Sequence, residues 1–184
     1  MDPTADERFT QIYETHYPAV LAYCLRRVNR SEAEDVASEV FAVLWRKVGS
    51  IDLDLPLPWL YRVALGQVRN RRRATRRATA LLHRLQSYQH GHLPGTDVVV
   101  VTNEHDTGVL DALTELRWSD QEILRLSIWE ELSAQEIGLV VGCSTSAAEQ
   151  RVHRAKKRLA ARLSPSISGR SNLSPHRLQE GGRP

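Results

Sequence analysis

The stretch LSAQEIGLVVGCSTSAAEQRVHRAKKRLAARL, residues 132–163, predicts two short helices separated by a tight turn at Gly142. A glycine suits such a turn because it adopts the left-handed backbone conformation without steric cost. The second helix, from about Thr145, carries a dense row of cations: Arg151, Arg154, Lys156, Lys157, Arg158 and Arg162. A helix-turn-helix with a cationic second helix favours nucleic acid as a partner.

Charge alternates in blocks along the chain. The net charges are −4 for residues 1–61, +8 for 62–92, −8 for 93–142 and +7 for 143–184. This pattern predicts two separate basic surfaces, with acidic surfaces between them that face protein or solvent. The second helix could also be an ordinary bundle helix with a solvated basic face. Because the charges on the polar face of this helix are predominantly positive, nucleic-acid binding is favoured over that alternative.

Apolar residues at three- and four-residue spacing predict helices over the first part of the chain. Pro18 interrupts the first apolar run, so we expect two helices there, the second beginning at the proline. Ser31 and Glu34 form a capping-box pattern at the start of the next helix, which Gly49 closes. A further helix follows a proline-rich turn and runs into an arginine-rich segment, residues 69–77.

Helical patterning stops near Arg77 and resumes near Val109, where four short helices are expected. Two of them begin with capping-box patterns, Ser119 to Glu122 and Ser133 to Glu136. The fold class we predict is therefore all-α.

Two small helical domains are expected, residues 1–77 and 108–163. The segment between them, residues 78–107, is predicted to be a flexible linker that is partly helical at 81–85, and Val98–Val101 lacks an obvious partner strand. The Ser/Gly/Pro-rich residues 164–184 are predicted to be a disordered tail.

Several classes of function are disfavoured. Cys24 and Cys143 are far apart and lack metal-ligand spacing, and histidines 83, 90, 92 and 105 are read as solvated loop residues. Neither a P-loop nor a nucleophile elbow nor a dinucleotide fingerprint occurs. No apolar run approaches the ~18 residues of a membrane span, and the N-terminus does not resemble a signal sequence. We expect a cytoplasmic protein without enzyme activity, metal or cofactor.

The quoted helix-turn-helix and the segment SEAEDVASEVFAVLW, residues 31–45, resemble extracytoplasmic-function (ECF) sigma factors of bacterial RNA polymerase. The likeness covers roughly residues 5–73 and 108–163. It implies a region 2 helical bundle and a region 4 helix-turn-helix. It also implies core RNA polymerase as a partner, through the coiled coil of β′ and the flap of β. Promoter DNA, both duplex and melted single strand, and an anti-sigma factor are further implied partners.

The resemblance assigns polymerase binding to the acidic helix of region 2, with Phe41 and Trp45 as core supports. The residues so assigned are Glu32, Asp35, Glu39, Phe41 and Trp45. The arginine-rich segment would read and melt the minus-ten element, with Trp59 supporting more than touching DNA. That set is Trp59, Arg62, Arg69, Asn70 and Arg73.

Recognition of the minus-thirty-five element falls to the second helix of region 4. Its candidate contacts are Ser146, Ala147, Glu149, Gln150, Arg151, His153, Arg154 and Lys157. Gln150 could read an adenine, because its amide matches the N6 and N7 edge of that base. The chain departs from the family at Ser146-Ala147-Ala148 and at Asn70, so the preferred promoter sequence does not follow.

Two other functions stay open at this stage. One is a stand-alone helix-turn-helix regulator that binds duplex DNA without polymerase. The other is a protein-interaction module whose arginine run binds RNA or acidic protein, and the helix-turn-helix pattern disfavours it.

Overall fold

Seven α-helices make up the regular structure in this computed structural model, which describes residues 4–50, 54–86 and 107–168. Within those ranges there is no strand, so the all-α prediction is confirmed. The helices are α1 (Ala5–Leu25), α2 (Arg30–Lys47), α3 (Pro56–Gln86), α4 (Thr107–Thr114), α5 (Trp118–Ile128), α6 (Ala134–Val141) and α7 (Thr145–Ser168).

Helix α1 is continuous, so the predicted break at Pro18 is wrong. A proline inside a helix removes one backbone hydrogen bond and crowds the preceding turn. Here the residues on both sides of it pack into the core, with Tyr17 partly buried and Val20 fully buried. This tertiary packing outweighs the local cost. A capping box of Thr4 with Glu7 starts the helix.

Helix α2 is capped by Asn29, whose side-chain oxygen accepts a hydrogen bond from the backbone N–H of Glu32 at 2.9 Å. The predicted capping box of Ser31 with Glu34 is wrong, because Asn29 takes the N-cap position two residues earlier. The helix ends two residues before Gly49, close to the predicted boundary.

Helix α3 continues to Gln86, nine residues into the predicted linker, and the helix expected at residues 81–85 is confirmed as its end. Leu81 and Leu82 are exposed there. The segment Val98–Val101 lies outside the described residues, as do histidines 90, 92 and 105.

The second half contains the four helices expected from its pattern. The capping box of Ser133 with Glu136 is confirmed. The one predicted at Ser119 is wrong, because α5 begins at Trp118 after an N-cap that makes no side-chain hydrogen bond. Helix α7 extends to Ser168, five residues into the predicted tail.

Helices α1, α2 and α3 pack together as one bundle, and α4 to α7 form a second unit. The units also contact each other, since α3 packs against α6. Buried side chains of both form a continuous cluster that includes Tyr23, Leu44, Leu65, Leu124 and Ile137. Among the described helices, none is long and apolar enough to cross a membrane.

Candidate nucleic-acid interface

The tight turn between α6 and α7 presents α7 to solvent. Gly142 adopts φ 76°, in the left-handed region that favours glycine. Gly138 allows the turn to fold back closely, because a Cβ at this position would lie 2.7 Å from the carbonyl oxygen of Cys143. Ser144 starts α7 by accepting a hydrogen bond from the backbone N–H of Ala147 at 3.2 Å. The predicted helix-turn-helix geometry is confirmed.

The predicted minus-thirty-five residues share the outward face of α7, while Ala148 and Ala155 on the other side are fully buried. All eight are exposed except Ala147, which is half-buried. A shallow hollow of about 340 Å³ on this face is lined by Glu149, Gln150, His153 and Arg154. The structure therefore brings the predicted contact residues together on one surface.

Two basic residues of α7 form ion pairs with carboxylates of the same chain. Nη1 of Arg158 lies 2.7 Å from Oδ2 of Asp120 on α5, and Arg162 pairs with Glu115 after α4. Arg151 and Lys157 have no carboxylate partner within the part of the chain that the structure describes. These two cations are available for phosphate.

The predicted minus-ten residues lie on α3. Arg62, Asn70 and Arg73 are exposed, while Arg69 is partly buried. Trp59 is half-buried and packs against the core, in the supporting position expected for it. Four of the five predicted residues are therefore polar side chains along one helix.

The basic end of α3 contacts Trp118 at the start of α5, a residue that no sequence pattern marked as part of a site. The guanidinium carbons of Arg69 and Arg72 each lie 5.3 Å from the centre of the indole ring. Burial, and then the charge of Arg76, lower the pKa of Arg72. Its guanidinium therefore lies in a locally cationic, partly dry environment where Trp118 supplies a π face.

The acidic face of α2 is partly as predicted. Asp35 is exposed, Glu32 is half-exposed, and Glu39 pairs with Arg71 of α3 at 2.9 Å. Phe41 is 3% exposed, which confirms its place in the core. Trp45 is 53% exposed, so its prediction as a core support is wrong.

An aromatic groove between α1 and α2 explains the position of Trp45. The indole packs edge-on against Phe9 at 4.9 Å between ring centres, at the open side of a hollow of about 500 Å³. The residues lining the aromatic groove are Phe9, Tyr13, Tyr17, Ser38, Phe41, Ala42, Trp45 and Arg46. From their spacing, these apolar residues were expected on the buried faces of two successive helices, because periodicity does not distinguish a core stripe from an open groove.

A buried ion cluster connects the two helical units, and no pattern in the sequence indicates it. Arg27, just after α1, donates to Glu122 of α5 from Nη2 at 2.9 Å and to Glu130 from Nη1 at 3.0 Å. Its side chain is 0% exposed and each carboxylate 2%. Burial would lower the pKa of Arg27, but Tyr23 and the two carboxylates outweigh it and raise the pKa.

Two further residues complete the cluster. The hydroxyl of Tyr23 donates to Oε1 of Glu122 at 3.0 Å, and Arg26 donates to Glu130 from Nε at 3.3 Å. Burial, followed by the charge of Glu130, raises the pKa of Tyr61 to about 12. Glu122 stands three residues after Ser119, which is the spacing of a capping box. The sequence therefore predicted a local capping role for this carboxylate and not a distant ion pair.

No group of His, Cys, Asp and Glu suited to a metal ion occurs among the described residues. The side chain of His83 is not described, and the three other linker histidines lie outside the described ranges.

Two protein-family models match the chain and together cover most of it. Sigma-70 region 2 matches residues 12–78, and sigma-70 region 4 matches residues 107–159. The first match contains the acidic face and the arginine-rich helix, and the second contains the helix-turn-helix.

Named relatives agree with the family models. The ECF RNA polymerase sigma factor SigD of Mycobacterium tuberculosis is 31% identical over 81% of this chain and 74% of its own. The RNA polymerase sigma factor NccH of Alcaligenes xylosoxydans is 28% identical over 90% of this chain and 98% of its own. A solved structure of CnrH with the cytosolic domain of CnrY is 25% identical, with a TM-score of 0.56 and coverage of 89% of both chains.

Proposed function

The chain belongs to the ECF group of the sigma-70 family, and from that premise we propose that it directs core RNA polymerase to specific promoters by using two DNA-reading surfaces. The observation that carries this assignment is the outward face of α7, where a helix-turn-helix with a glycine-mediated turn holds the eight predicted contact residues together. The protein then acts as a specificity subunit, while the polymerase supplies the chemistry.

Minus-thirty-five recognition is supported by the chemistry of α7. Gln150 has the amide that matches the major-groove edge of adenine, and Arg151 and Lys157 are cations without a carboxylate partner among the described residues. Base contacts would supply specificity, and contacts of the cations with phosphate would supply affinity. The family's region 4 match spans this helix as far as residue 159.

Minus-ten recognition is assigned to α3. Arg62, Asn70 and Arg73 are exposed polar side chains, and cations beside an aromatic residue suit unpaired nucleotides. Trp59 supports the helix from its partly buried position. Capture of unpaired bases here would hold the promoter open.

Polymerase binding is assigned to the exposed part of α2, with Asp35 for electrostatic contact and the aromatic groove for apolar contact. Glu32 and Glu39 extend the acidic face. Trp45, half-exposed at the rim, is the kind of large amphipathic side chain that dominates interface energetics.

We also propose that an anti-sigma factor controls the protein. CnrH, similar to this chain over nearly its whole length, was solved with the cytosolic domain of CnrY. A partner that covers the aromatic groove or Asp35 would compete with core polymerase. Core polymerase and promoter DNA are both in the bacterial cytoplasm. A protein that binds both is therefore expected there.

Run-off transcription with purified bacterial core polymerase on a pool of host promoter fragments tests the assignment. Asp35→Arg and Arg151→Glu should each abolish the specific starts that the wild-type chain produces. Glu14→Arg and Arg117→Glu change charge by the same amount at exposed sites outside both surfaces, and should keep those starts. Tight binding of duplex by the chain alone, with no core-dependent transcript, would establish a stand-alone regulator instead.

A further inference from the structure

We propose that the chain binds a small ligand with two or more linked phosphate groups, in a cleft lined by arginines of α3 and α7. The cleft is a hollow of about 390 Å³ that shares Arg69 with a smaller hollow of about 170 Å³. The arginines that line this arginine cleft are Arg69, Arg72, Arg73, Arg76, Arg151, Arg154 and Arg158. Binding itself does not depend on the proposed promoter function, whereas its consequence for transcription does.

Few carboxylates balance the cations of the arginine cleft. Asp120 lines the cleft and pairs with Arg158 at 2.7 Å, and Glu122 is buried against Arg27. The other six arginines have no carboxylate partner within residues 4–50, 54–86 and 107–168. Like charges held together raise the electrostatic energy, and a bound anion lowers it. The cleft therefore favours an anion that carries several charges.

Two partly buried arginines show that the potential here is positive. Burial, and then the charge of Arg76, lower the pKa of Arg72. Burial, and then the charge of Arg27, lower the pKa of Arg125 on α5, and Arg72 acts in the same direction. The charge of Glu122 opposes both shifts without cancelling them. Because like-charged neighbours contribute to both shifts, an anion at this end of α3 would be stabilised.

Trp118 adds a hydrogen-bond donor to the site. Its indole lines the smaller hollow, and the guanidinium carbons of Arg69 and Arg72 each lie 5.3 Å from the ring centre. The indole Nε1 is buried and has no hydrogen-bond acceptor in the part of the chain that the structure describes. Buried donors are nearly always paired in native proteins. A phosphate oxygen beside these two cations is an acceptor of the kind that Nε1 lacks.

The N-terminus of α5 lies at the same cleft. Ser119 and Asp120, the second and third residues of this helix, both line it. No side chain caps the helix, since Arg117 at the N-cap makes no side-chain hydrogen bond. The first N–H groups of a helix lack intrahelical partners, and the helix dipole is positive at this end. Both properties favour a phosphate group.

The size of the cleft favours a small ligand over a duplex. Small-molecule sites enclose about 300–1,000 Å³, and the larger hollow falls within that range. A duplex instead needs an open helix face, because its major groove takes in a whole helix. Guanidinium groups bind phosphate oxygens in bidentate pairs, so several arginines suit several linked phosphates. Inorganic polyphosphate and nucleoside polyphosphates share this chemistry.

The ligand would use residues that are also assigned to the promoter. Arg69 belongs to the minus-ten set, and Arg151 and Arg154 belong to the minus-thirty-five set. Side chains that bind the phosphates of the ligand are not available for the phosphates of DNA. A bound polyphosphate therefore lowers promoter binding at both elements.

Isothermal titration calorimetry of the full-length chain with inorganic tripolyphosphate, at fixed ionic strength, tests the site. We expect saturable binding of one ligand per chain. The combined variant Arg72→Gln, Arg76→Gln removes two cations that are assigned to neither promoter element, and should raise the Kd at least about tenfold. The control variant Arg77→Gln, Lys156→Gln removes two exposed charges of α3 and α7 outside the cleft. Its Kd should stay within about threefold of the wild-type value.

Three results would refute the site: no binding, binding that does not saturate at one ligand per chain, or equal weakening in the test and control variants. If circular dichroism shows that the double variant does not fold, Trp118→Phe takes its place, because it removes the Nε1 donor and keeps an aromatic ring. A weaker affinity of that variant then supports the site, and an unchanged affinity refutes it.

A parallel titration with ATP identifies the source of the phosphate groups. Tripolyphosphate that binds at least as tightly as ATP shows that the phosphate chain alone is recognised, as in inorganic polyphosphate. Tighter binding of ATP identifies a nucleoside polyphosphate as the ligand. Both results support the site, provided that the double variant weakens the tighter ligand.

Run-off transcription at constant free Mg²⁺ separates this inference from the proposed function. Tripolyphosphate incubated with the chain should reduce the promoter-specific transcripts of the wild type and spare those of the double variant. Transcripts of the wild type that bound tripolyphosphate does not reduce would refute the competition. Saturable binding in a chain that supports no promoter-specific transcript would keep the site and remove the proposed function. Normal transcripts from a chain that does not bind tripolyphosphate would do the reverse.

Discussion

The hydroxyl of Tyr23 donates a hydrogen bond to Oε1 of Glu122 at 3.0 Å, across 99 residues of sequence. Burial, followed by the charge of Glu122, raises the pKa of Tyr23 well above its ordinary value. The phenol therefore stays protonated and remains a donor throughout the physiological range. This contact couples the first helix to the second helical unit.

Replacing Arg27 by Met tests how much the buried ion cluster contributes to the free energy of unfolding. The substitution leaves the buried carboxylate of Glu122 without a compensating charge, while Glu130 keeps its pair with Arg26, so the free energy of unfolding should fall by about 3–5 kcal/mol. Arg158→Met is the matched control, because its pair with Asp120 is half-exposed and should contribute less than about 1 kcal/mol. Denaturant titrations of both variants provide the comparison. An equal loss of unfolding free energy in both variants would show that the buried pair of Arg27 stabilises the protein no more than the half-exposed pair of Arg158.

The two cysteines should differ in reactivity. Burial raises the pKa of Cys24 from its ordinary 9.0 to about 12, whereas Cys143 is partly exposed. Iodoacetamide at pH 8 should modify Cys143 first, because the thiolate is the nucleophile. Peptide mass spectrometry reads the order, and early modification of Cys24 in the folded protein would contradict it.

The same shift affects stability at high pH. The unfolded Cys24 thiol ionises near pH 9, while the folded thiol stays neutral until about pH 12. Its contribution to stability is therefore complete below pH 9 and is lost as pH rises through 12. Cys24→Ala should flatten this part of the pH profile of unfolding.

Gly138→Ala should destabilise the helix-turn-helix by about 1–3 kcal/mol, because the new methyl group would lie 2.7 Å from the backbone oxygen of Cys143. Gly66→Ala is the control: nothing lies within 4 Å of its Cβ, and alanine favours a helix over glycine by about 0.5–1 kcal/mol. The midpoint of thermal unfolding should fall for Gly138→Ala and rise for Gly66→Ala. A neutral Gly138→Ala would mean that the turn relaxes freely.

On promoter DNA, two residues of α7 should separate affinity from specificity. Lys157→Ala should weaken holoenzyme binding equally for all sequences and reduce the slope of log affinity against log salt by about 1. Gln150→Ala should keep that slope and relax discrimination at one base by about 1–3 kcal/mol. Titrations at several salt concentrations, with single-base changes in the minus-thirty-five element, measure both. Identical behaviour of the two variants would refute the division of roles.

Trp45→Ala should cost core polymerase affinity at least about 2 kcal/mol, because the half-exposed indole forms one side of the aromatic groove. Trp129→Ala removes an indole of similar exposure, 43%, from the second unit and should leave affinity within about twofold. Equilibrium binding of labelled core enzyme provides the measurement. An equal loss from both would argue against a role for the groove.

Features that depend on local chemistry could be predicted from the sequence. The capping box of Ser133 with Glu136 and the left-handed Gly142 need only neighbouring residues, and both were predicted correctly. The outward face of α7 also follows from helical periodicity, because cations and small apolar residues alternate at the required spacing.

Features decided by distant packing could not be predicted in the same way. Pro18 lies inside a helix because the burial on both sides outweighs its local cost. Glu122 looked like a capping residue, yet it binds Arg27, which no local pattern connects to it. Trp45 has a core-like spacing but lies at the rim of a groove, since α1 covers only part of that stripe.

The separation of Arg27 and Glu122 by 95 positions in the chain also has a consequence for synthesis on the ribosome. At about 5–20 residues per second, the first unit emerges roughly 5–20 s before the carboxylate that neutralises Arg27. The nascent bundle therefore presents a hydrated cation where the finished protein has a dry one. A partner that engages the chain during translation meets a surface that the completed molecule conceals.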